Sequence, residues 1–250
     1  MRFQGRTAVV TGGSAGIGEA TVRALGAEGA SVVFLDIAQA RGSALAAELG
    51  ERSRFCYGSV AEEAGCASCI ALAEETFGPV SILVNNAFLP LFRSLEANQQ
   101  EWRQILDVNV IGASLMSRYA VASMKKTGGG SIVNLSSISG FIAQAGTMTY
   151  NTTKTALLGM TRCMALDLGK FNIRVNAICP GYTTTQSFYF YLDESKQDRE
   201  QAVQKLSAET MLHRLASPEE IAKCILFLCS DDAAYVTGTH LMVDGGLTAL

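Results

Sequence analysis

At 250 residues, 48% of them hydrophobic, the chain is long enough to bury one large core, and a single α/β domain suits it better than two small ones. The formal charge of −3 and pI near 5.5 give no basic footprint for nucleic acid, and seven scattered cysteines, an odd number, make a poor disulfide framework. No run approaches the roughly 18 apolar residues of a membrane span, and Met1-Arg2-Phe3-Gln4-Gly5-Arg6 leads into a strand rather than a signal segment, so no membrane partner and a cytoplasmic location are expected.

The first apolar run, Thr7-Ala8-Val9-Val10, is β-prone and passes directly into Thr11-Gly12-Gly13-Ser14-Ala15-Gly16-Ile17-Gly18. From Glu19 to Leu25 the pattern turns helical, apolar at Ala20, Val22, Ala24 and Leu25. The glycines therefore sit on a strand-to-helix turn, where unpaired backbone N–H groups at the positive end of a helix dipole attract phosphate. Three functions compete for such a turn. A P-loop needs Lys after its last glycine, and Glu19 stands there. Gly12-Gly13-Ser14-Ala15-Gly16 spells a hydrolase elbow, but too little chain precedes Ser14 to build the strands and oxyanion loop beneath it, and neither His213 nor His240 has an obvious acid partner. A dinucleotide site uses Gly12, Gly16 and Gly18 together with their place at the first βα turn. The second run, Ser31-Val32-Val33-Phe34-Leu35-Asp36, ends in an acid about 20 residues further on, placed to accept hydrogen bonds from adenosine ribose hydroxyls. Asp36 also repels a 2′-phosphate, and no Arg or Lys in the turn neutralises one, so NAD is expected over NADP.

Further apolar runs at 53–57, 80–84, 131–135, 173–179 and 239–243 are separated mostly by segments long enough for a helix. The alternation predicts an α/β fold with one domain over 1–250: a Rossmann-like, doubly wound sheet of about seven parallel strands with helices on both faces. Cys66-Ala67-Ser68-Cys69 lies within a helical pattern and has no second ligand pair, so buried cysteines are expected there and no metal site. Tyr150-Asn151-Thr152-Thr153-Lys154 opens a helical stretch running to about Gly169, with Tyr150 and Lys154 one turn apart on one face. Taken alone, that pair fits an amphipathic tyrosine beside a solvated lysine better than a catalytic pair. Ser136-Ser137 closes the run Ile132-Val133-Asn134-Leu135 and in a parallel sheet faces the same carboxyl-edge crevice as the glycine turn. Beyond Pro180-Gly181 come an aromatic cluster, a charged stretch from Asp193 to Glu200, and helical patterns around 201–210 and 218–229; a substrate lid is expected at about 182–215.

With these residues in place, the chain resembles the short-chain dehydrogenase/reductase family over essentially its full length. The marks stand in the family's order: Thr11-Gly12-x-x-x-Gly16-x-Gly18, Asn85-Asn86-Ala87, Asn109, Ser137, Tyr150 with Lys154, and Pro180-Gly181. Ser137, rather than Ser136, stands at the usual family spacing of thirteen residues before Tyr150. The resemblance implies a catalytic tetrad of Asn109, Ser137, Tyr150 and Lys154. Tyr150 would carry the proton, Lys154 would assist its ionisation and hold the nicotinamide ribose, Ser137 would donate to the substrate oxygen, and Asn109 would position a water between Lys154 and solvent. An ammonium about 4 Å from a phenol supplies up to roughly 4 kcal/mol at an effective dielectric near 20, about three pKa units, before desolvation is subtracted. Cofactor contacts are implied from Gly12, Ser14, Gly16, Ile17, Gly18, Asp36, Val60, Asn86, Ala87, Tyr150, Lys154, Pro180, Gly181, Thr183 and Thr185. A homotetramer is implied as well, with helices 101–126 and 150–169 across one interface. Three positions depart from the family pattern: Ser59 before Val60 where Asp is usual, Phe88 where glycine commonly follows Asn-Asn-Ala, and Thr183 where Val or Ile is usual.

The expected function is NAD-dependent hydride transfer between a small-molecule secondary alcohol, or its ketone, and nicotinamide. Substrate contacts are expected from Arg93, Ser137, Gln144, Tyr150 and Tyr182. Gln144, Asn151, Thr147 and Arg93 suit a polyol, and Arg93 or Arg199 a carboxylate, which favours a sugar or sugar acid and a role in carbohydrate metabolism. Phe141, Phe188, Tyr189, Phe190 and Tyr191 suit a flat apolar ligand, so a hydroxysteroid or other apolar alcohol is the alternative. A dinucleotide-binding sensor without catalysis is the rival of another class, and the intact tetrad argues against it.

Overall fold

The computed structural model describes residues 1–194 and 198–249. The strands β1 (Thr7–Thr11), β2 (Ser31–Asp36), β3 (Ser53–Tyr57), β4 (Val80–Asn85), β5 (Gly130–Leu135), β6 (Ile173–Pro180) and β7 (His240–Val243) form one parallel sheet in the order β3-β2-β1-β4-β5-β6-β7. Their ends lie close to those of the apolar runs in the sequence. The helices are α1 (Gly16–Ala27), α2 (Gln39–Leu49), α3 (Glu63–Phe77), α4 (Gln99–Leu106), α5 (Gly112–Met124), α6 (Met148–Leu168), α7 (Gln186–Glu194), α8 (Arg199–Ala208) and α9 (Pro218–Cys229).

The two-residue period of the strands separates two apolar layers. Ala8, Val10, Val32 and Phe34 pack with Val22 and Leu25 of α1 and with Ile221 and Ile225 of α9. Val9, Val33 and Leu35 face the other way, against Cys66, Cys69 and Ile70 of α3, Met116 of α5 and Ala165 of α6. Each large side chain buried in this way contributes about 1.5–3 kcal/mol, and a one-residue slip of a strand would exchange the layers. Asparagines also pin the register beneath the site: Asn85 Nδ2 donates to Asn134 Oδ1 across the β4–β5 pair at 2.9 Å, and Asn134 Nδ2 donates to Thr161 Oγ1 on α6 at 2.9 Å. The chain runs outward from β1 to β3 and returns on the other side of β1 as β4. The loops after β1 and β4 therefore part and leave a crevice at the carboxyl edge.

Two features differ from the sequence expectation. The helix expected at 101–126 is a rod, Gln99–Thr127, in which a π turn at Asp107–Ile111 joins α4 to α5. By length and composition this rod is able to cross a membrane, although no single apolar run is long enough; its charged residues gather towards the two ends, and its apolar side packs on α3 and β4. The aromatic cluster in the lid is itself helical, as α7. Residues 195–197 of the expected lid, and Leu250, lie outside the described residues.

Candidate active site

After Thr11 the chain turns sharply to start α1 at the crevice. Gly12 and Gly16 make the turn with φ of +64° and +55°, values that a side chain disfavours. Gly18 is required by contact, since a Cβ there would lie 2.0 Å from the Gly12 carbonyl oxygen and 2.5 Å from Asn86 Nδ2. Asn86 Nδ2 donates to the Thr11 and Gly12 carbonyls, both at 2.9 Å, while Thr11 Oγ1 accepts the N–H groups of Asn86 and Ala87 at 3.0 Å. These bonds tie the end of β4 to the glycine turn. The residue before α1 is Ala15, which has no side-chain oxygen to cap it, so the first-turn N–H groups have no side-chain acceptor. The Ser14 hydroxyl is buried beside them without a hydrogen-bond partner. An uncapped helix start behind a glycine turn, with a spare buried hydroxyl, fits a pyrophosphate. At the end of β2, Asp36 accepts the Ser14 N–H on Oδ2 at 3.0 Å and the Ala38 N–H on Oδ1 at 2.9 Å. That leaves lone pairs on both oxygens for a ribose.

Gly12, Gly16, Ile17, Asp36, Val60, Asn86, Ala87, Pro180, Gly181, Thr183 and Thr185 line one cleft of about 600 Å³, and Ser137, Gln144, Tyr150, Lys154 and Tyr182 line it with them. The other four expected residues are placed differently. Ser14 and Gly18 stand behind the wall and shape the turn. Asn109 is buried, with Oδ1 accepting the Leu89 N–H at 2.6 Å and Nδ2 donating to Leu89 O at 3.3 Å and to Thr153 Oγ1 at 3.1 Å. Its amide thus holds the loop after β4. Arg93 turns outward to Glu101 at 3.0 Å, because that carboxylate lies within reach on α4, and so presents no cation to the cleft.

Tyr150 and Lys154 stand one turn apart at the start of α6. Ser137 lies beside the Tyr150 phenol and favours its ionised form; its hydroxyl donates to Ser139 Oγ at 3.2 Å and accepts the Ser139 N–H at 3.1 Å. The Ser139 hydroxyl donates to Gln144 Oε1 at 2.6 Å. Lys154 is 3% exposed, and its Nζ donates to Leu135 O at 2.7 Å. Phe88 and Phe92 meet the Tyr150 ring edge-on, with centroids at 6.1 and 5.1 Å, and Tyr191 meets Phe92 at 5.1 Å. Burial governs both ionisations. It pushes the phenol up to about 12 against the pull of Ser137, and the Lys154 ammonium down to about 8, partly opposed by Cys179. In the protein alone, desolvation therefore outweighs the Coulombic help that the sequence leads one to expect from Lys154.

The lysine shift has a cost in stability. With an ordinary value of 10.5 and a folded value of about 8, the unfolded chain holds the proton more tightly, so the folded state is penalised in full below pH 8 and the penalty fades as pH rises through 10.5. The penalty is on the order of 3 kcal/mol, offset by the bond to Leu135, worth about 1 kcal/mol. Lys154→Met is expected to be more stable than wild type by about 2 kcal/mol at pH 7, with the difference shrinking above pH 8 and reversed in favour of wild type, by about 1 kcal/mol, above pH 10.5 in urea titrations. A variant equally destabilised at every pH would show that burial of the charge is not the governing effect.

Two residues of the site escape the sequence reading. Thr149 Oγ1 accepts the Arg93 N–H at 3.1 Å and donates to Leu91 O at 2.6 Å, and Thr153 receives the Asn109 amide. Both pin the loop after β4 beside Tyr150. The available signal was a helix start rich in threonine, at 147, 149, 152, 153 and 155, where threonine is a poor helix former.

A family model described as enoyl-(acyl carrier protein) reductase matches residues 12–248. The chain is 39% identical over 249 residues to a 3-alpha-(or 20-beta)-hydroxysteroid dehydrogenase of Mycobacterium tuberculosis, with 99% of this chain and 91% of that one covered. It is 35% identical over 252 residues to the cis-4-hydroxycyclohexanecarboxylate dehydrogenase of Sinomonas cyclohexanicum, with 99% and 98% covered. A solved structure described as a short chain dehydrogenase/reductase family protein matches with a TM-score of 0.89 at 36% identity over 100% of both chains. The chain belongs to the short-chain dehydrogenase/reductase family. It is an oxidoreductase acting on a CH–OH group, and dehydrogenases of this family use nicotinamide cofactors.

Proposed function

We propose that this protein is an NAD-dependent dehydrogenase/reductase that interconverts a neutral, apolar, ring-shaped secondary alcohol and its ketone. The carrying observation is the setting of the Ser137–Tyr150–Lys154 group: Phe88, Phe92, Phe188, Tyr191 and Leu206 line the same cleft, and among the described lining residues Lys154 is the one cation. The sugar-acid expectation has less support. Arg93 and Arg199 are held by Glu101 and Asp193, and the Gln144 oxygen already accepts from Ser139. A relative named for a hydroxysteroid points the same way, and one named for a hydroxycyclohexanecarboxylate shares the ring-borne alcohol but carries an acid group.

In oxidation, the Ser137 hydroxyl donates to the substrate oxygen and holds it beside the phenol. Tyr150, as phenolate, takes the hydroxyl proton while the C–H bond breaks with its electron pair. Lys154, as ammonium, stabilises the phenolate. The nicotinamide, when bound, supplies the hydride acceptor for oxidation and the donor for reduction. In reduction Tyr150 returns the proton to the forming alkoxide.

Asp36 supports the choice of NAD. A carboxylate about 4 Å from a 2′-phosphate costs up to roughly 4 kcal/mol per unit charge before screening. Asp36→Ala is expected to raise the NADP-to-NAD preference by ~10-fold or more, since about 1.4 kcal/mol is a factor of ten. The test is a panel of steroid alcohols, cyclohexanols, sugars and sugar acids with both cofactors, followed by absorbance of the reduced cofactor. Turnover confined to sugars or sugar acids would overturn the substrate reading, and wild-type preference for NADP would overturn the role of Asp36.

A further inference from the structure

Lys154 is a buried ammonium with few partners. One of its protons goes to Leu135 O, and among the described residues no carboxylate is close enough to act on it. From the elements packed on α6, the groups that bear on it are limited. β6 supplies the Cys179 thiol, whose pull favours the charged form. β5 and the Ile138–Gly140 turn contain no titratable residue. The helical rod carries Glu101, Arg103 and Asp107, none of which acts on the ammonium, and Glu101 is engaged by Arg93 and by the Asn98 N–H. Tyr150 stands beside it on α6. What faces the ammonium besides these is aromatic: Nζ lies 5.3 Å from the centroid of Phe88 and 5.4 Å from that of Tyr150.

Phe88 is not loosely held. Before it, Ala87 is packed against Gly12 and its N–H is taken by Thr11. After it, both backbone groups of Leu89 are gripped by the Asn109 amide. The backbone on either side is thus held, while the ring itself lines the cleft, is 37% exposed and makes an edge contact to Tyr150. A π face within about 6 Å of a desolvated cation attracts it.

We propose that Phe88 is a positioning residue for proton transfer: the face of its ring holds the Lys154 ammonium in its charged form, and through Lys154 it sets how readily Tyr150 ionises. The proposal rests on the functional reading above in assigning proton transfer to Tyr150, but its primary test needs no turnover. Site-specific incorporation of 4-fluoro-, 3,5-difluoro- and 3,4,5-trifluorophenylalanine at position 88 drains the π face with little change of volume. The Lys154 titration is followed by NMR in protein labelled with ¹³C at lysine Cε, the signal being assigned by its loss in Lys154→Arg.

The Lys154 midpoint is expected to fall stepwise along the series, reaching about half a pH unit at the trifluoro ring, with Phe88→Leu moving it the same way. The acid limb of alcohol oxidation, read from kcat against pH, should move towards higher pH by a similar amount. A midpoint that stays level or rises across the fluorinated series overturns the proposal, whatever happens to KM. Absence of alcohol oxidation in wild type would count against the functional reading alone, whereas normal turnover with a level Lys154 titration would remove only the role of Phe88.

Discussion

Tyr150→Phe is expected to bind reduced cofactor as wild type does and to lose turnover by ~1,000-fold or more, within the range that general acid–base groups supply. The substitution takes away one atom of the site. The ring remains packed edge-on against Phe88 and Phe92, so the cleft keeps its wall, and removal of the hydroxyl changes stability by only about 1 kcal/mol. What disappears is the group that accepts the alcohol proton. Because burial holds the phenol above its ordinary value, oxidation by wild type should climb with pH through the neutral range as the phenolate fraction grows, whereas residual activity of the variant should be level there. Steady-state rates across pH, with calorimetric titration of NADH, check both halves. Activity within tenfold of wild type would sink the assignment of Tyr150.

The second large effect belongs to Gly18, where two physical arguments oppose each other. Alanine is a better helix former than glycine by about 1 kcal/mol, so propensity alone favours Gly18→Ala. The added Cβ, however, would lie 2.0 Å from the Gly12 carbonyl oxygen and 2.8 Å from its carbon. The Gly12 backbone offers no flexible end to give way, and overpacking of this kind costs ~1–3 kcal/mol or more. The Asn86 amide, 2.5 Å from the same point, would move and loosen its bonds to Thr11 and Gly12. A net loss of about 2 kcal/mol and cofactor binding weakened ~10-fold are expected. Gly26 on the same helix is the control, because a Cβ there meets nothing within 4 Å and Gly26→Ala should stabilise by about 0.5–1 kcal/mol. If both variants gained stability alike, contact at Gly18 would not be what forbids a side chain.

Most of the fold was legible because a parallel sheet buried on both faces writes itself as short β-branched runs, and the helices between them are long. The glycine turn and Asp36 were legible because their chemistry is local, spanning one βα turn and the next strand end. Asn109 was readable as a position, but its hold on the loop after β4 was not. Its three amide bonds reach Leu89 and Thr153, partners that no local spacing relates to it. Arg93 was misplaced for a similar reason, since whether a long side chain turns to the cleft or to Glu101 depends on a neighbour in space. The π turn at Asp107–Ile111 has no distinct sequence period over five residues, and the aromatic run 188–191 looks the same whether it is lid, interface or helix.

The start of α1 carries one more consequence. A helix can bring its own cap, a serine, threonine, asparagine or aspartate ahead of the first turn, as α4 does with Asn98, α8 with Asp198 and α9 with Ser217, whereas α2, α3 and α6 have no side-chain cap. Here that place is held by Ala15, so a bound pyrophosphate would do for α1 what a side chain does elsewhere. Ligand occupancy then belongs to the folding equilibrium as much as to catalysis: at a hundred times its dissociation constant, a ligand specific for the folded chain adds about 2.7 kcal/mol. The amount of folded enzyme in a cell would in that way follow the size of its cofactor pool.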